Sequence, residues 1–385
     1  MFVFDFDYVI LNIILLLLFC YSGNKISKGS NYWAYSIPCI ILYTFVLGSR
    51  YGRGNDYFHY VDVYLYGLGY EQKLFTWFNN ILKDINITPY HIFYFYAFCF
   101  ISSAFIFFKL INKNYLKYII PLFLIATIKF EEYQIRQAFG FVFVFFFIYE
   151  LFKDDTTNKI IPFRKIILCF TYAIAVYSVH SANIFIIVVI FVFYLYGKRL
   201  IPLYISIPLY IYASYYISYY TNIEFINPYL EYFGNQNELF STYVENSDKW
   251  FSAEGYDSKY LRNNAIKLFE TLGNISLMYY LYKTLKLLSN DKWAYSLSNT
   301  YIVGSIFMQS FMQLELLNRM GGNLLMFWFV PLSIVLYNFR KMRYSLIEKI
   351  TFVFLLFWVY EYLKYLFYRR EEMIYFLWDI ATSDY

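Results

Sequence analysis

The sequence predicts an all-α fold: a polytopic integral membrane bundle of about 11–12 crossing helices, one interfacial helix and one larger extracytoplasmic loop. Three observations carry this. Of the 385 residues, 60% are hydrophobic and 15% charged, whereas soluble domains run near 45–50% and about 25%. The apolar residues recur along the whole chain in runs of roughly 16–22, the length that crosses about 30 Å of hydrocarbon as a helix. The mean hydropathy is positive, +0.43, and some Tyr and Trp are expected in interfacial belts.

In chain order, spans are expected at 8–22, 32–48, 90–111, 115–130, 134–152, 163–179, 181–197, 200–220, 263–286, 294–313, 322–339 and 347–368. The first lacks a basic leader region and an A-x-A cleavage site, so it reads as a retained span. The stretch "EQKLFTWFNNILKD" at 71–84 is too short and polar to cross. Its Leu74, Phe75, Phe78, Ile81 and Leu82 recur at helical spacing, which predicts a helix lying in the interface. Residues 221–262 form an acidic loop with Glu224, Glu231, Glu238, Glu245, Asp248, Glu254 and Asp257. No internal repeat and no soluble domain is visible, so 1–385 reads as one transmembrane domain.

Basic residues decide the orientation. Lys25, Lys28, Lys109, Lys113, Lys117, Lys153, Arg164, Lys165, Lys198, Arg199, Lys283, Lys286, Arg340 and Lys341 fall in alternate loops, which are therefore expected in the cytoplasm. On the opposite, outer face lie Arg50, Arg53, Asp56, Glu71, Arg136, His180 and Arg319, together with the acidic loop. The net charge of +5 is scattered rather than gathered, so nucleic acid is not an expected partner. Cys20, Cys39, Cys99 and Cys169 lie in apolar runs without C-x-x-C spacing, which disfavours disulfides and metal sites.

Four constellations draw attention. "GSRYGRGNDYFHYVDVY" at 48–64 sets Arg50, Arg53 and Asp56 among three glycines. Forked guanidinium donors suit phosphate oxygens; equally, Arg50 could snorkel to headgroups and Asp56 could cap the next helix. "KFEEYQIRQAFGFVFVFFFIY" at 129–149 opens a span with Arg136, at a depth that marks either a functional residue or a partner for Glu131 or Glu132. "VYSVHSANIF" places His180 at a junction of two spans, where an imidazole can take a proton or simply hold structure. "QLELLNRMGGNLLMFWFVPL" sets Arg319 before Gly321 and Gly322, a pair that also suits close helix packing. No Walker loop, dinucleotide-binding glycine motif, HExxH, GxSxG or outer-loop DxD is found, so no cofactor or metal is expected.

"RYGRGNDYFHYVDVY" resembles the R-Y-x-x-G-x-D-Y-x-x-Y signature of EpsG-like proteins, a branch of the Wzy-type bacterial surface polysaccharide polymerases. "YEQKLFTWFNNILK", "IRQAFGFVFVF", "SVHSANIF" and "NRMGGNLLMFW" resemble that family's later motifs in the same order. The departures are Asn55, Gly140 and Asn323, where the family usually has Thr, Ala and Tyr. The resemblance implies a glycosyltransferase in the bacterial inner membrane, active on its extracytoplasmic face. It would join undecaprenyl-diphosphate-linked repeat units, donor and acceptor both lipid-borne, into O-antigen, capsule or exopolysaccharide. A chain-length-regulating copolymerase would be a further partner. Arg50, Arg136 and Arg319, with Arg53 as helper, would neutralise the diphosphate; His180 would be the base, with Asp56 and Glu71 as alternatives. Aromatic residues of the 221–262 loop would stack on sugars. The rival readings are a flippase for the same lipid-linked glycans, a ligase using the same donor, and a noncatalytic assembly protein.

Overall fold

The computed structural model describes residues 6–54, 56–67, 73–153, 162–218, 264–285, 291–312, 314–341, 344–367 and 375–379. The 221–262 loop lies outside them. The described chain is helical apart from one pair of two-residue strands. Helices α1 (Phe6–Ser27) and α2 (Tyr32–Gly48) precede strand β1 (Arg50–Tyr51). Then come α3 (Tyr57–Tyr66), α4 (Lys73–Asp84), α5 (Ile92–Phe108), α6 (Lys113–Tyr133), α7 (Ile135–Phe152) and α8 (Phe163–Val179). A 3-10 turn at Ser181–Asn183 leads into α9 (Ile184–Tyr196).

The later elements are α10 (Leu203–Tyr212), running into a π-helical turn at Ala213–Ile217, then α11 (Asn264–Leu285), α12 (Lys292–Ser310) and α13 (Glu315–Leu325). They are followed by α14 (Phe329–Asn338), α15 (Leu346–Thr351), α16 (Phe357–Phe367) and strand β2 (Tyr375–Phe376). Four helices among the described residues are long and apolar enough to cross a membrane: Phe6–Ser27, Ile135–Phe152, Leu317–Asn338 and Leu346–Phe367. Shorter apolar helices occupy Tyr32–Gly48, Ile92–Phe108 and Ser181–Tyr196.

The chain divides into two compact units, Met1–Val188 with Trp358–Tyr385, and Val189–Phe357. In the first unit, α1 packs on α6 and α2, α2 on α5, α5 on α7, and α7 on α8. The α1–α6 pair approaches at a glycine. A Cβ at Gly23 would lie 2.7 Å from the Leu116 carbonyl oxygen, so only glycine lets α1 touch the α6 backbone there. Between the helices sits an aromatic core in which Phe100, Phe107, Phe123 and Phe145 are fully buried. Phe107 and Phe145 stack with centroids 5.6 Å apart; such pairs add about 0.5–1.5 kcal/mol beyond the area they bury.

The two ends of this unit differ in their charged residues. Lys25, Lys109, Lys113, Lys153 and Lys165 gather where α1, α5 and α7 end and where α6 and α8 begin. Lys109 lies over the Trp33 ring, and Lys165 Nζ donates to the Lys153 carbonyl at 3.0 Å. The opposite end carries Arg50, Arg53, Glu131, Glu132, Arg136 and His180. Helix α4 packs on α8 at that end. Its Phe75 and Leu82 are buried while Trp77 is exposed, the two-faced pattern expected from its sequence, and Asn79 accepts a hydrogen bond from Tyr96.

In the second unit α12 and α13 cross at glycines. A Cβ at Gly304 would sit 2.6 Å from Leu324 Cβ, and one at Gly321 would sit 2.7 Å from Met308 Cα. Beside them lies a polar core: Tyr301 donates to Asn274 Oδ1 at 2.7 Å, and Asn274 Nδ2 donates to the Tyr210 hydroxyl at 3.1 Å. Gln309 donates to Glu270 at 3.1 Å. These buried groups satisfy one another, the condition for keeping polar side chains inside a helical bundle.

Candidate functional site

The opening motif folds inward. Helix α2 stops at Gly48, and Gly52 and Gly54 then take φ of +64° and +93°, values that side chains other than glycine rarely adopt. At Gly54 a Cβ would also collide with the Glu132 carbonyl oxygen. The tight return aims both arginines at the C-terminal end of α6. Arg50 Nη1 lies 3.0 Å from Glu131 Oε2 and also donates to the Glu131 carbonyl at 3.3 Å. Arg53 Nη1 lies 3.2 Å from Glu132 Oε1, and its Nη2 donates to the Val46 carbonyl at 2.7 Å. That carbonyl belongs to the last turn of α2, where no helical donor remains to serve it.

All four charged side chains are 0% exposed. Aromatic residues complete the enclosure. Phe93 lies 4.9 Å from the Arg50 guanidinium; Tyr8 and Phe376 lie 5.1 and 4.5 Å from that of Arg53. The Tyr8 hydroxyl reaches both Glu132 oxygens at 3.4 Å, and Tyr365 from α16 donates to Glu132 Oε2. An enclosure of this kind costs desolvation, which close pairing and extra hydrogen bonds must offset.

The C-terminal segment closes the last side. Strand β2 runs antiparallel to β1, with Arg50 opposite Phe376 and Tyr51 opposite Tyr375. The Leu377 amide donates to the Ser49 carbonyl at 2.9 Å. Phe376 is fully buried, and Trp378 stacks on it at 4.2 Å and on Phe45 at 5.7 Å.

A second grouping lies on α7. Gln134 has non-helical backbone angles (φ −130°, ψ 54°) and separates α6 from α7. Arg136 follows, half-buried, one helical turn before Gly140 on the same face. The residue His180 ends α8 in extended conformation, also half-buried. A Cβ built at Gly140 would be 3.6 Å from His180 Cβ and would collide with Asn183 Nδ2. Asn183 in turn donates to the Gln137 carbonyl at 2.9 Å. Glycine at 140 thus lets the His180 turn press against α7 beside Arg136.

No protein-family model, curated protein or solved structure matches this chain. The site is therefore argued from its own geometry. Arg50 and Arg53, expected to face a phosphate, are enclosed and ion-paired; Glu131 and Glu132, weighed as partners for Arg136, pair with Arg50 and Arg53. Asp56 is half-exposed at the start of α3, and its side chain makes no capping hydrogen bond. Helix α3 follows from Tyr57 onward. Glu71 lies outside the described residues. Arg319 lies in the second unit, exposed on α13; of the glycines after it, Gly321 makes the close helix contact while Gly322 faces open space. Among the described residues no three His, Cys, Asp or Glu side chains are placed to hold a metal.

The residues that sequence reasoning missed are Tyr8, Tyr365 and Phe376, together with the pairing of Glu131 and Glu132. One signal was available. Two adjacent carboxylates at the end of an apolar run need cationic or hydrogen-bonding partners when they are buried.

Proposed function

We propose that this chain is a membrane-embedded glycosyltransferase of the bacterial inner membrane. It would join undecaprenyl-diphosphate-linked repeat units into a surface polysaccharide on the extracytoplasmic face. The observation that carries the reading is the close packing of the His180 turn on α7 at Gly140, one helical turn after Arg136. Arg136 and His180 are both half-buried, at the end of the first unit opposite Lys25, Lys109, Lys113, Lys153 and Lys165. The lysine-rich end would be cytoplasmic by the positive-inside rule, which turns Arg136 and His180 outward.

In this reading an acceptor hydroxyl attacks the anomeric carbon of the donor sugar. The carbon–oxygen bond to the diphosphate breaks, and undecaprenyl diphosphate departs with that electron pair. His180 takes the hydroxyl proton, general-base work suited to an imidazole. Arg136 neutralises charge developing on the leaving diphosphate. Asp56 is the alternative base or holds a sugar hydroxyl. Arg50 and Arg53 are further ligands for the diphosphate once their enclosure with Glu131 and Glu132 opens.

The test is ladder formation from a lipid-diphosphate-linked repeat unit by purified chain in lipid, beside Arg136→Ala and His180→Ala. A wild-type ladder that both folded variants lose supports the reading. Movement of intact lipid between leaflets without any ladder refutes it in favour of a flippase.

A further inference from the structure

The arrangement around Arg50 and Arg53 contains one part built differently from the rest. Helices α1, α2, α5, α6 and α16, the last through Tyr365, wall the two ion pairs with packed, buried side chains. The remaining wall is the strap formed by β2 and Leu377–Asp379, held by a two-residue strand pairing, the Leu377–Ser49 hydrogen bond and the burial of Phe376. A two-stranded pairing this short is marginal by itself. Trp378, which stacks over Phe376 and Phe45, remains 49% exposed.

We propose that this strap is a displaceable cover that governs access of an anionic diphosphate headgroup to Arg50 and Arg53. The proposal rests on the reading of those arginines as ligands for the lipid diphosphate. With the strap down, Phe376 occupies the face of the Arg53 guanidinium and β2 lies along the backbone of Arg50. An incoming phosphate oxygen has no approach to either. Lifting the strap removes Phe376 and the strand while leaving the helical walls intact. Water then reaches Arg53 and Glu132, which relieves the desolvation that enclosure imposes, so the open state has its own compensation. A diphosphate that binds the open state alone shifts the population toward it.

The pairing of Tyr51 with Tyr375 supplies the test, because residues directly opposite in an antiparallel pair lie within disulfide reach. The full chain carrying Tyr51→Cys and Tyr375→Cys, in lipid nanodiscs, is oxidised or reduced. Binding of undecaprenyl diphosphate is then titrated in both forms. The expected result is at least ten-fold weaker binding when oxidised, reversed by dithiothreitol, with Phe376→Ala binding at least as tightly as wild type. Equal binding in both forms overturns the strap while leaving the arginines as ligands. No binding in the reduced form or in wild type overturns the arginine reading and the strap with it. Failure of the disulfide to form on oxidation overturns the closed arrangement itself.

Discussion

Removing the carboxylate of Glu132 probes the enclosed ion pair most directly. In Glu132→Ala, Arg53 keeps its charge, since a guanidinium stays protonated at any ordinary pH. It also keeps its place, 0% exposed and held through Nη2 to the Val46 carbonyl. Leaving one member of a buried pair uncompensated costs about 3–5 kcal/mol, or roughly two to four decades in the unfolding equilibrium. Tyr8 and Tyr365 lose their shared acceptor as well. Arg53→Met should cost less, because a stranded carboxylate can accept a proton and still receive the Tyr365 hydroxyl. In the double variant Glu132→Ala with Arg53→Met, no charge is stranded, and part of the loss should return. Reversible unfolding in mixed micelles of the four proteins closes a double-mutant cycle. A coupling of about 1–3 kcal/mol is expected for groups in direct contact. Additive losses, with coupling under about 0.5 kcal/mol, would refute the claim that the pair is enclosed and mutually dependent.

Three further outcomes follow from the same geometry. Gly140→Ala should push the Asn183 side chain off α7 and displace His180, reducing polymerisation at least ten-fold; Asn183→Ala in the same chain should recover part of it, measured by ladder formation. Gly321→Ala should destabilise by about 1–3 kcal/mol through overpacking against Met308, whereas Gly322→Ala, with open space around it, should change stability by less than about 0.5 kcal/mol. Single cysteines at Lys113 and at His91 should react with a membrane-impermeant maleimide from opposite sides, His91 from outside; labelling of both from one side would remove the orientation on which the outward active face depends.

Much of the helical layout was legible in the sequence because apolar run length is a local property. The expected spans 32–48 and 163–179 coincide with α2 and α8, and 134–152 falls within one residue of α7. The two-faced helix at Lys73–Asp84 was legible too, since its period exposes one face. The strand pair was not. Two residues have no period, and Phe376 joins Arg50 across more than three hundred positions of chain. The ion pairs were hidden for the same reason: Glu131 stands closer in sequence to Arg136, yet Arg50 Nη1 is 3.0 Å away from it. Composition identified groups that need partners, and only the packing of α2 against α5 and of α1 against α6 selected which partners meet. His180 and Arg136 were each legible as candidates, but the packing of the His180 turn on α7 required Gly140, whose missing side chain carries no period in the sequence.

The first unit is discontinuous, and that has a consequence for synthesis. Arg53 and Glu132 emerge from the ribosome early, while Tyr365 and Phe376, which finish their enclosure, come last. At about 5–20 residues per second, the interval between Glu132 and Phe376 lasts roughly 10–50 s. Throughout it the nascent bundle holds its charged pair with one wall missing. Arrival of Tyr365 and Phe376 is therefore the event that completes the enclosure, and a chain stopped before them would present its uncovered charges to quality control as an unfinished product.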